Sequence, residues 1–336
     1  MKKPLVQLRP EGLFCPAADA YIDPWRPVAR ALITHAHADH ARPGSRIYHA
    51  AQPGTGVLRK RLGSGSDIRA HAYRQPFSLK RAEISFHPAG HVLGSAQIRI
   101  EADGQVWVVS GDYKRDADPT CEAFEVVECD VFITEATFAL PVYHWRPACE
   151  VAAGIHAWWQ QNRQQQRASV LFAYAFGKAQ RVLAELMAYT DEAVIVHGAV
   201  ETLTGMYRDA GIPLLDTETV DGRRKGKPKD FAGRLVIAPP GANGTAWMRR
   251  FGACATGFCS GWMQIRGRQR WRGYDRGFVL SDHADWPGLT ATIKATGAGK
   301  VLATHGNTGA LVRYLNEREN LDAASLETQY GGEESD

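Results

Sequence analysis

The chain has 336 residues, 44% of them hydrophobic, and a formal net charge of +4. That share of apolar side chain excludes a disordered protein and leaves material for one large core or two ordinary ones. No apolar run reaches the ~20 residues that a bilayer span needs, and the first residues carry no apolar signal segment, so the cytoplasm is the expected location.

The six cysteines (Cys15, Cys121, Cys129, Cys149, Cys254, Cys259) are scattered with no Cys-x-x-Cys, as expected of free thiols in a chain of this length. Residues 1 to 30 read as short strands and turns, with Gly12 to Cys15 and Ala20 to Ile22 strand-like and Asp23-Pro24 a turn. Next comes Ala31-Leu-Ile-Thr-His-Ala-His-Ala-Asp-His40, an apolar run followed by four metal-ligand types within six residues. Side chains alternate at a strand end, so His35 and His37 point the same way and suit one ion. Asp39 and His40 follow the turn and suit a second.

Residues 42 to 80 mix short apolar pieces with a Gly63-Ser-Gly-Ser66 loop, and Val57 to Arg61 reads as part of a helix. Beyond Arg81 the pattern alternates: Ala82 to His87, Ser95 to Ile100 and Val106 to Ser110 are strands, with Ala102-Asp103-Gly104 a hairpin turn between the last two. His91 lies in a glycine-bearing turn, Asp112 follows Val108-Val-Ser-Gly111, and Asp130-Val-Phe-Ile-Thr-Glu135 is a strand ending in a carboxylate.

From about 147 to 275 strands and helices alternate. Glu150 to Gln165 is an amphipathic helix, Val170 to Tyr174 a buried strand, and a helix starts at Gly177. Ala193 to His197 and Leu235 to Ala238 are strands, Thr202 to Ala210 a helix, and Thr217 to Asp230 a polar basic loop. This alternation predicts a parallel α/β unit inserted into the first domain. The chain then returns to strands ending in histidine: Gly277 to Leu280 before Ser281-Asp-His-Ala-Asp285, and Lys300 to Ala303 before Thr304-His-Gly306. Helices are expected from about Trp286 to Thr296 and from Gly309 to Glu319.

Cations gather at Arg59-Lys60-Arg61, at Arg223-Arg224-Lys225 with Lys227 and Lys229, and at Arg266, Arg268, Arg270, Arg272 and Arg276 beside Trp271 and Tyr274. Basic residues interleaved with aromatics suit phosphate contact and base stacking, although a solvated face explains any one cluster equally well.

The strand-end set His35, His37, Asp39, His40, His91, Asp112, Glu135, His283 and His305 resembles that of the metallo-β-lactamase-fold nucleases of the β-CASP group. Within the group the chain is most similar to the bacterial ligase-associated DNA exonucleases, through Tyr21-Ile-Asp-Pro-Trp25, Ala31-Leu-Ile-Thr-His35 and Ser281-Asp-His-Ala-Asp285. The resemblance implies an α/β fold, a metallo-β-lactamase αββα sandwich at 1–146 and 277–330 with a β-CASP domain inserted at 147–276; the remaining residues, 331–336, read as an acidic tail.

It also implies roles. His35, His37 and His91 would hold one divalent ion and Asp39, His40 and His305 another, with Asp112 between them; zinc is expected first and manganese second. Asp39, Glu135 and His283 form the expected catalytic set. Ala255 to Trp262 is the expected substrate-facing loop, and Lys178, Arg181, Ser260, Arg266 and Arg268 are candidate substrate contacts. The expected reaction is phosphodiester hydrolysis by a two-metal-activated hydroxide, on DNA rather than RNA, in repair beside a DNA ligase or helicase. An RNA-processing nuclease and a small-molecule hydrolase on the same fold are the rivals.

Overall fold

Short apolar segments punctuated by glycine, proline and aspartate break the first part of the chain into strands, and the computed structural model describes residues 3–220, 228–265 and 273–329. It divides into two compact units, one of Met1–His144 with His283–Asp336 and one of Trp145–Asp282. Both are mixed α/β.

The first unit holds two sheets. One runs in spatial order through β1 (Gln7–Arg9), β2 (Gly12–Cys15), β3 (Ala20–Ile22), β4 (Arg30–Ile33), β5 (Ile47–Ala51) and β6 (Ile68–His71). Its first pairings are antiparallel and those from β3 onward are parallel. Helix α1 (Thr55–Leu62) lies between β5 and β6 in the chain.

The other sheet contains β7 (Phe77–Leu79), β8 (Ala82–Pro88), β9 (Ala96–Ala102), β10 (Gln105–Val109) and β11 (Val131–Glu135). After the second unit it is completed by β18 (Lys300–Thr304) and β19 (Asp322–Ser325), in the order β19-β18-β11-β10-β9-β8-β7. Asp103 and Gly104 have φ of 50° and 67°, the left-handed pair of a two-residue hairpin turn between β9 and β10.

Period-two alternation divides the core. Trp107, Val109, Val131 and Ile133 join Leu13, Ile22 and Leu32 of the first sheet in one apolar cluster. Val108, Phe132 and Val301, on the opposite face, join Leu289 and Ile293 of α5 (Trp286–Ala295) and Leu311 and Leu315 of α6 (Thr308–Arg318).

The second unit is an all-parallel sheet in the order β14-β13-β15-β12-β16-β17. Its strands are β12 (Ala168–Phe172), β13 (Val194–Val196), β14 (Thr217–Thr219), β15 (Leu235–Ala238), β16 (Cys254–Cys259) and β17 (Arg276–Phe278). Helices α2 (Ala148–Gln164), α3 (Lys178–Leu186) and α4 (Gly198–Asp209) alternate with them. On α2, Val151, Ile155, Trp158 and Trp159 are buried, and the Trp159 indole donates to the Gly233 carbonyl at 2.9 Å.

Several elements differ from the sequence reading. Ala255 to Cys259, expected in a substrate-facing loop, lies in β16, and its small residues hide a strand that is paired on both sides. Pairing of β17 with β16 carries the second unit to Asp282, six positions past the expected end at 276. Thr217–Thr219 forms a strand inside the expected basic loop. β5, β6, β7 and β19 were not anticipated; β5 is buried along its length and β6 largely exposed, so neither alternates. The basic run from Arg223 to Lys227 and the acidic tail at 331–336 lie outside the described residues.

Candidate metal centre

Strand direction assembles the site. β10, β11 and β18 run parallel, so their C-terminal ends share one edge of the sheet. Asp112 follows β10, Glu135 ends β11, and His305 follows β18; Glu135 is in register with Thr304. From the first sheet, β4 ends at Ile33 and delivers Thr34 and His35, with the Thr34 carbonyl accepting the Ala96 amide at 2.8 Å. The His37 carbonyl accepts the amides of His40 and Ala41 at 3.2 and 2.9 Å, which curls the turn so that Asp39 and His40 follow a different direction from His35 and His37. His91 is fixed in its loop by the Ser95 hydroxyl, which accepts its amide at 3.1 Å and that of Val92 at 3.2 Å.

His305 has φ of 60°, unusual for a residue with a Cβ, and Gly306 follows at 56°. A Cβ on Gly306 would meet the Ala136 carbonyl at 2.4 Å, so only glycine lets the chain turn here and bring the imidazole back to the sheet edge. The His305 ring stacks on that of His40 with centroids 5.1 Å apart.

Three groups of donor atoms result: His35, His37, His91 and Asp112; Asp39, His40 and His305; and Asp112, Glu135 and His283. In the first, His37 Nδ1 is 3.0 Å from His35 Nε2 and 3.1 Å from His91 Nε2. One ring nitrogen has a single in-plane lone pair or a single N–H, so it cannot make two good hydrogen bonds at once. A tetrahedral ion would account for the convergence, because Zn–N bonds of about 2.0–2.1 Å set corners about 3.3–3.4 Å apart. Asp112 Oδ2 lies 3.5 Å from His35 Nε2 and 3.4 Å from His40 Nε2, between the first two groups. Asp39 Oδ2 is 3.7 Å from His40 Nε2. The donor sets fit divalent ions.

Asp23, at the end of β3, organises the turn from behind. It is buried, and its carboxylate accepts the Thr34 amide at 2.8 Å, the Thr34 hydroxyl, and His40 Nδ1–H at 2.7 Å. That leaves His40 Nε2 for the donor cluster. In the sequence Asp23 lies in the Tyr21-Ile-Asp-Pro-Trp25 stretch and reads as a turn residue. A carboxylate at the end of the strand beside the histidine turn was the available signal.

Charges follow the same pattern. Burial, and next the proximity of His40, hold His35 well below its ordinary pKa. Burial lowers His305 to about 3. His40 is pushed the other way: burial opposes its charge, but Asp112, Asp39 and the Asp23 hydrogen bond raise it well above the ordinary range. Burial pushes Asp112 up, and His40 and His283 outweigh it, leaving the carboxyl well below the usual range. The centre therefore presents carboxylate at 112 and neutral imidazole at 35 and 305, the forms that bind metal; His40 would release a proton on binding.

Glu135 accepts the Tyr113 amide at 2.7 Å with one oxygen and faces His283 Nδ1 at 2.8 Å with the other. Burial raises its carboxyl even though His283 opposes the shift. The His283 ring lies 4.7 Å from that of His91, centroid to centroid.

The proposed substrate contacts sit otherwise. Within the second unit Lys178 and Arg181 are buried, not solvent-facing. Lys178 Nζ is 3.5 Å from Asp282, and Arg181 Nη1 donates to the Ser281 carbonyl at 2.6 Å and lies 3.6 Å from Asp282. Ser260 is buried and caps a short 3-10 turn by accepting the Trp262 amide at 3.3 Å. Tyr274, expected to stack on bases, is half-buried against Phe258 and Phe172 at 5.0 and 5.2 Å. Arg266 and Arg268 lie outside the described residues. His197 caps α4, its Nδ1 accepting the Ala199 amide at 3.1 Å.

No family model matches the chain. It is similar to a protein named Probable DNA ligase from Opitutus terrae, 29% identical over 91% of this chain and 30% of that protein. It is also similar to Endoribonuclease ysh-1 of Neurospora crassa, 36% identical over 25% of this chain and 10% of the relative. Cleavage and polyadenylation specificity factor subunit 3 of Dictyostelium discoideum is 30% identical over 35% of this chain and 15% of the relative. The chain thus spans 30% or less of the length of these curated relatives. A crystal structure of a protein of unknown function from Enterococcus faecalis V583 shares the fold, with a TM-score of 0.59, 12% identity, and coverage of 90% of this chain and 80% of that one. Relatives so named, and the histidine and aspartate clusters, are consistent with a nuclease of the metallo-β-lactamase and β-CASP kind.

Proposed function

We propose that this chain is a metal-dependent phosphodiesterase that shortens DNA from an end, built on a metallo-β-lactamase αββα sandwich carrying an inserted β-CASP domain. The observation that carries the reading is the meeting of two donor sets at Asp112 in the first unit. His35, His37 and His91 would hold one divalent ion, and Asp39, His40 and His305 a second, with Asp112 serving both. Zinc suits the nitrogen-rich set, and manganese also suits the set that includes Asp39. When bound, such a pair supplies an activated water nucleophile near neutral pH and neutralises charge on the phosphate oxygens.

The protein's own groups do the rest. Glu135 accepts from His283 Nδ1–H and so steadies the imidazolium form, whose second proton, on Nε2, would pass to the departing oxygen and leave neutral His283 behind. Burial of both side chains keeps competing water from the Nε2 proton. Asp23 holds His40 in the tautomer that offers Nε2.

DNA is favoured because the relative named for DNA ligation aligns along 91% of this chain, whereas those named for RNA align over 25–35%. The same relative supports work beside a DNA ligase in repair. Among the described residues no helix is long and apolar enough to cross a membrane. The test is digestion of 5′- and 3′-labelled single-stranded DNA and RNA with zinc or manganese. Stepwise shortening of DNA supports the reading; cleavage of RNA alone, or of neither polymer, overturns it.

A further inference from the structure

The basic run Arg59-Lys60-Arg61 is left without a role by the metal centre. It forms the last turn of α1, whose apolar side, Val57, Leu58 and Leu62, is buried, while the three cations are exposed. Arg61 Nε donates to the carbonyl of Ala36 at 3.1 Å. Ala36 is the residue between His35 and His37, so this guanidinium is bonded to the metal turn itself. The segment before α1 is also tied to the site. A Cβ on Gly94, three residues after His91, would lie 2.1 Å from Gly54 Cα, so the backbone leading into α1 lies directly against the His91 loop.

Cations in a last helical turn favour the helix dipole, which explains a positive charge there. It does not explain why none is neutralised. In the same unit Arg30, Arg69, Arg74, Arg81 and Arg99 each lie within 3.7 Å of a carboxylate, whereas Arg9, Arg26, Arg46 and Arg115 have none within that reach among the described residues, so what sets the α1 run apart is three cations in succession with one bonded to the metal turn. Arg59, Lys60 and Arg61 have no carboxylate within salt-bridge distance among the described residues. Arg42, two residues beyond His40, is anchored in the same manner, through Nη1 to the Trp25 carbonyl at 3.4 Å, again with no carboxylate within salt-bridge distance among the described residues. Arginines tethered by one N–H keep the remainder of the guanidinium fork for an anion.

We infer that the last turn of α1, with Arg61 bonded to the metal turn and Arg42 two residues beyond it, binds the backbone phosphates of the nucleic-acid strand whose scissile phosphate would sit at Asp112. This rests on the nuclease reading above and adds its substrate track within the first unit. The partner is a polyanionic strand read by its phosphates, without base selection.

The test compares the wild-type full chain with two variants, Arg59→Gln/Lys60→Gln/Arg61→Gln and Arg42→Gln. Arg81→Gln, which loses a cation paired to Asp103, is the control. Binding of labelled single-stranded DNA is followed against salt, together with KM, kcat, zinc content and urea unfolding. The slope of log K against log salt should become shallower by about 2 for the triple variant and about 0.7 for Arg42→Gln, from about 0.7 per lost phosphate contact. KM should rise on the order of ten-fold in the triple variant, and Arg81→Gln should match wild type in KM, kcat, zinc content and stability. Wild-type slope and KM in both variants, with DNA still cut, overturn this inference alone. Failure of the wild type to bind or cut any nucleic acid overturns it together with the nuclease reading.

Discussion

Replacing Asp23 with asparagine changes one atom and removes the group that fixes His40. The carboxylate accepts on both oxygens: the Thr34 amide on one, and the Thr34 hydroxyl and His40 Nδ1–H on the other. An amide has only one accepting end. If its oxygen faces the Thr34 amide, its NH₂ opposes His40 Nδ1–H; if it flips, the NH₂ opposes the Thr34 amide. In the first arrangement His40 shifts its proton to Nε2, the atom 3.4 Å from Asp112, and ceases to be a ligand. Loss of such an outer partner lowers metal affinity by about 10–100-fold, or about 1.4–2.7 kcal/mol. In the second arrangement a buried donor goes unsatisfied at about 1–3 kcal/mol of folding stability. Competition with a chromophoric chelator measures the affinity, and urea unfolding of the metal-free chain measures the stability. Weakened zinc binding confined to one of two sites is the expected result. A variant with wild-type affinity at both sites and wild-type stability refutes the reasoning.

Removing a ligand outright should exceed that effect, so His37→Ala or Asp112→Ala should lower hydrolysis by more than about 10²-fold while circular dichroism stays native; retained activity sinks the two-metal assignment. Glu135→Ala and His283→Ala should slow the chemical step by about 10²–10⁴-fold with zinc content unchanged, as single-turnover rates beside elemental analysis will reveal. If zinc is lost instead, the pair belongs to the ligand set. His49 on β5 faces His71 on β6 at 2.9 Å, and burial, followed by the charge of His71, lowers His49 to about 4. An unfolded histidine titrates near 6.5, so between pH 6.5 and 4 the unfolded chain binds the extra proton. The stability from neutral His49 is therefore complete above about pH 6.5 and declines as the pH falls, by about 2 kcal/mol between pH 7 and 5. His49→Gln should flatten the acid limb of stability by that amount, and an unchanged limb removes His49 from the account.

The most legible parts of the chain were those in which chemistry and position coincide locally. The histidine turn declared itself because four ligand types within six residues follow an apolar run. Alternation marked β8 and β9, and Asp103-Gly104 marked the hairpin, since both depend on neighbours only a few residues apart. β16 was less legible. In Cys254-Ala-Thr-Gly-Phe-Cys259 the inward positions early in the strand are the small Ala255 and Gly257, set against half-buried Cys254 and Thr256, which leaves little hydrophobic contrast to read as alternation. Lys178 and Arg181 read as candidate substrate contacts, and nothing near them in sequence announces Asp282.

Sequence by itself determined which residues have metal-binding chemistry and that each sits at a strand end. Tertiary structure alone decided which of them meet. Parallel register brings Asp112, Glu135 and His305 to one edge, and a left-handed pair at His305-Gly306 turns the last imidazole onto His40. Tertiary structure also decided that Asp23, an ordinary turn residue by sequence, holds the His40 tautomer. The physical reason is range. Propensity and alternation act over a few residues, whereas a donor set with corners a few ångströms apart is closed by strand order, which no local pattern encodes.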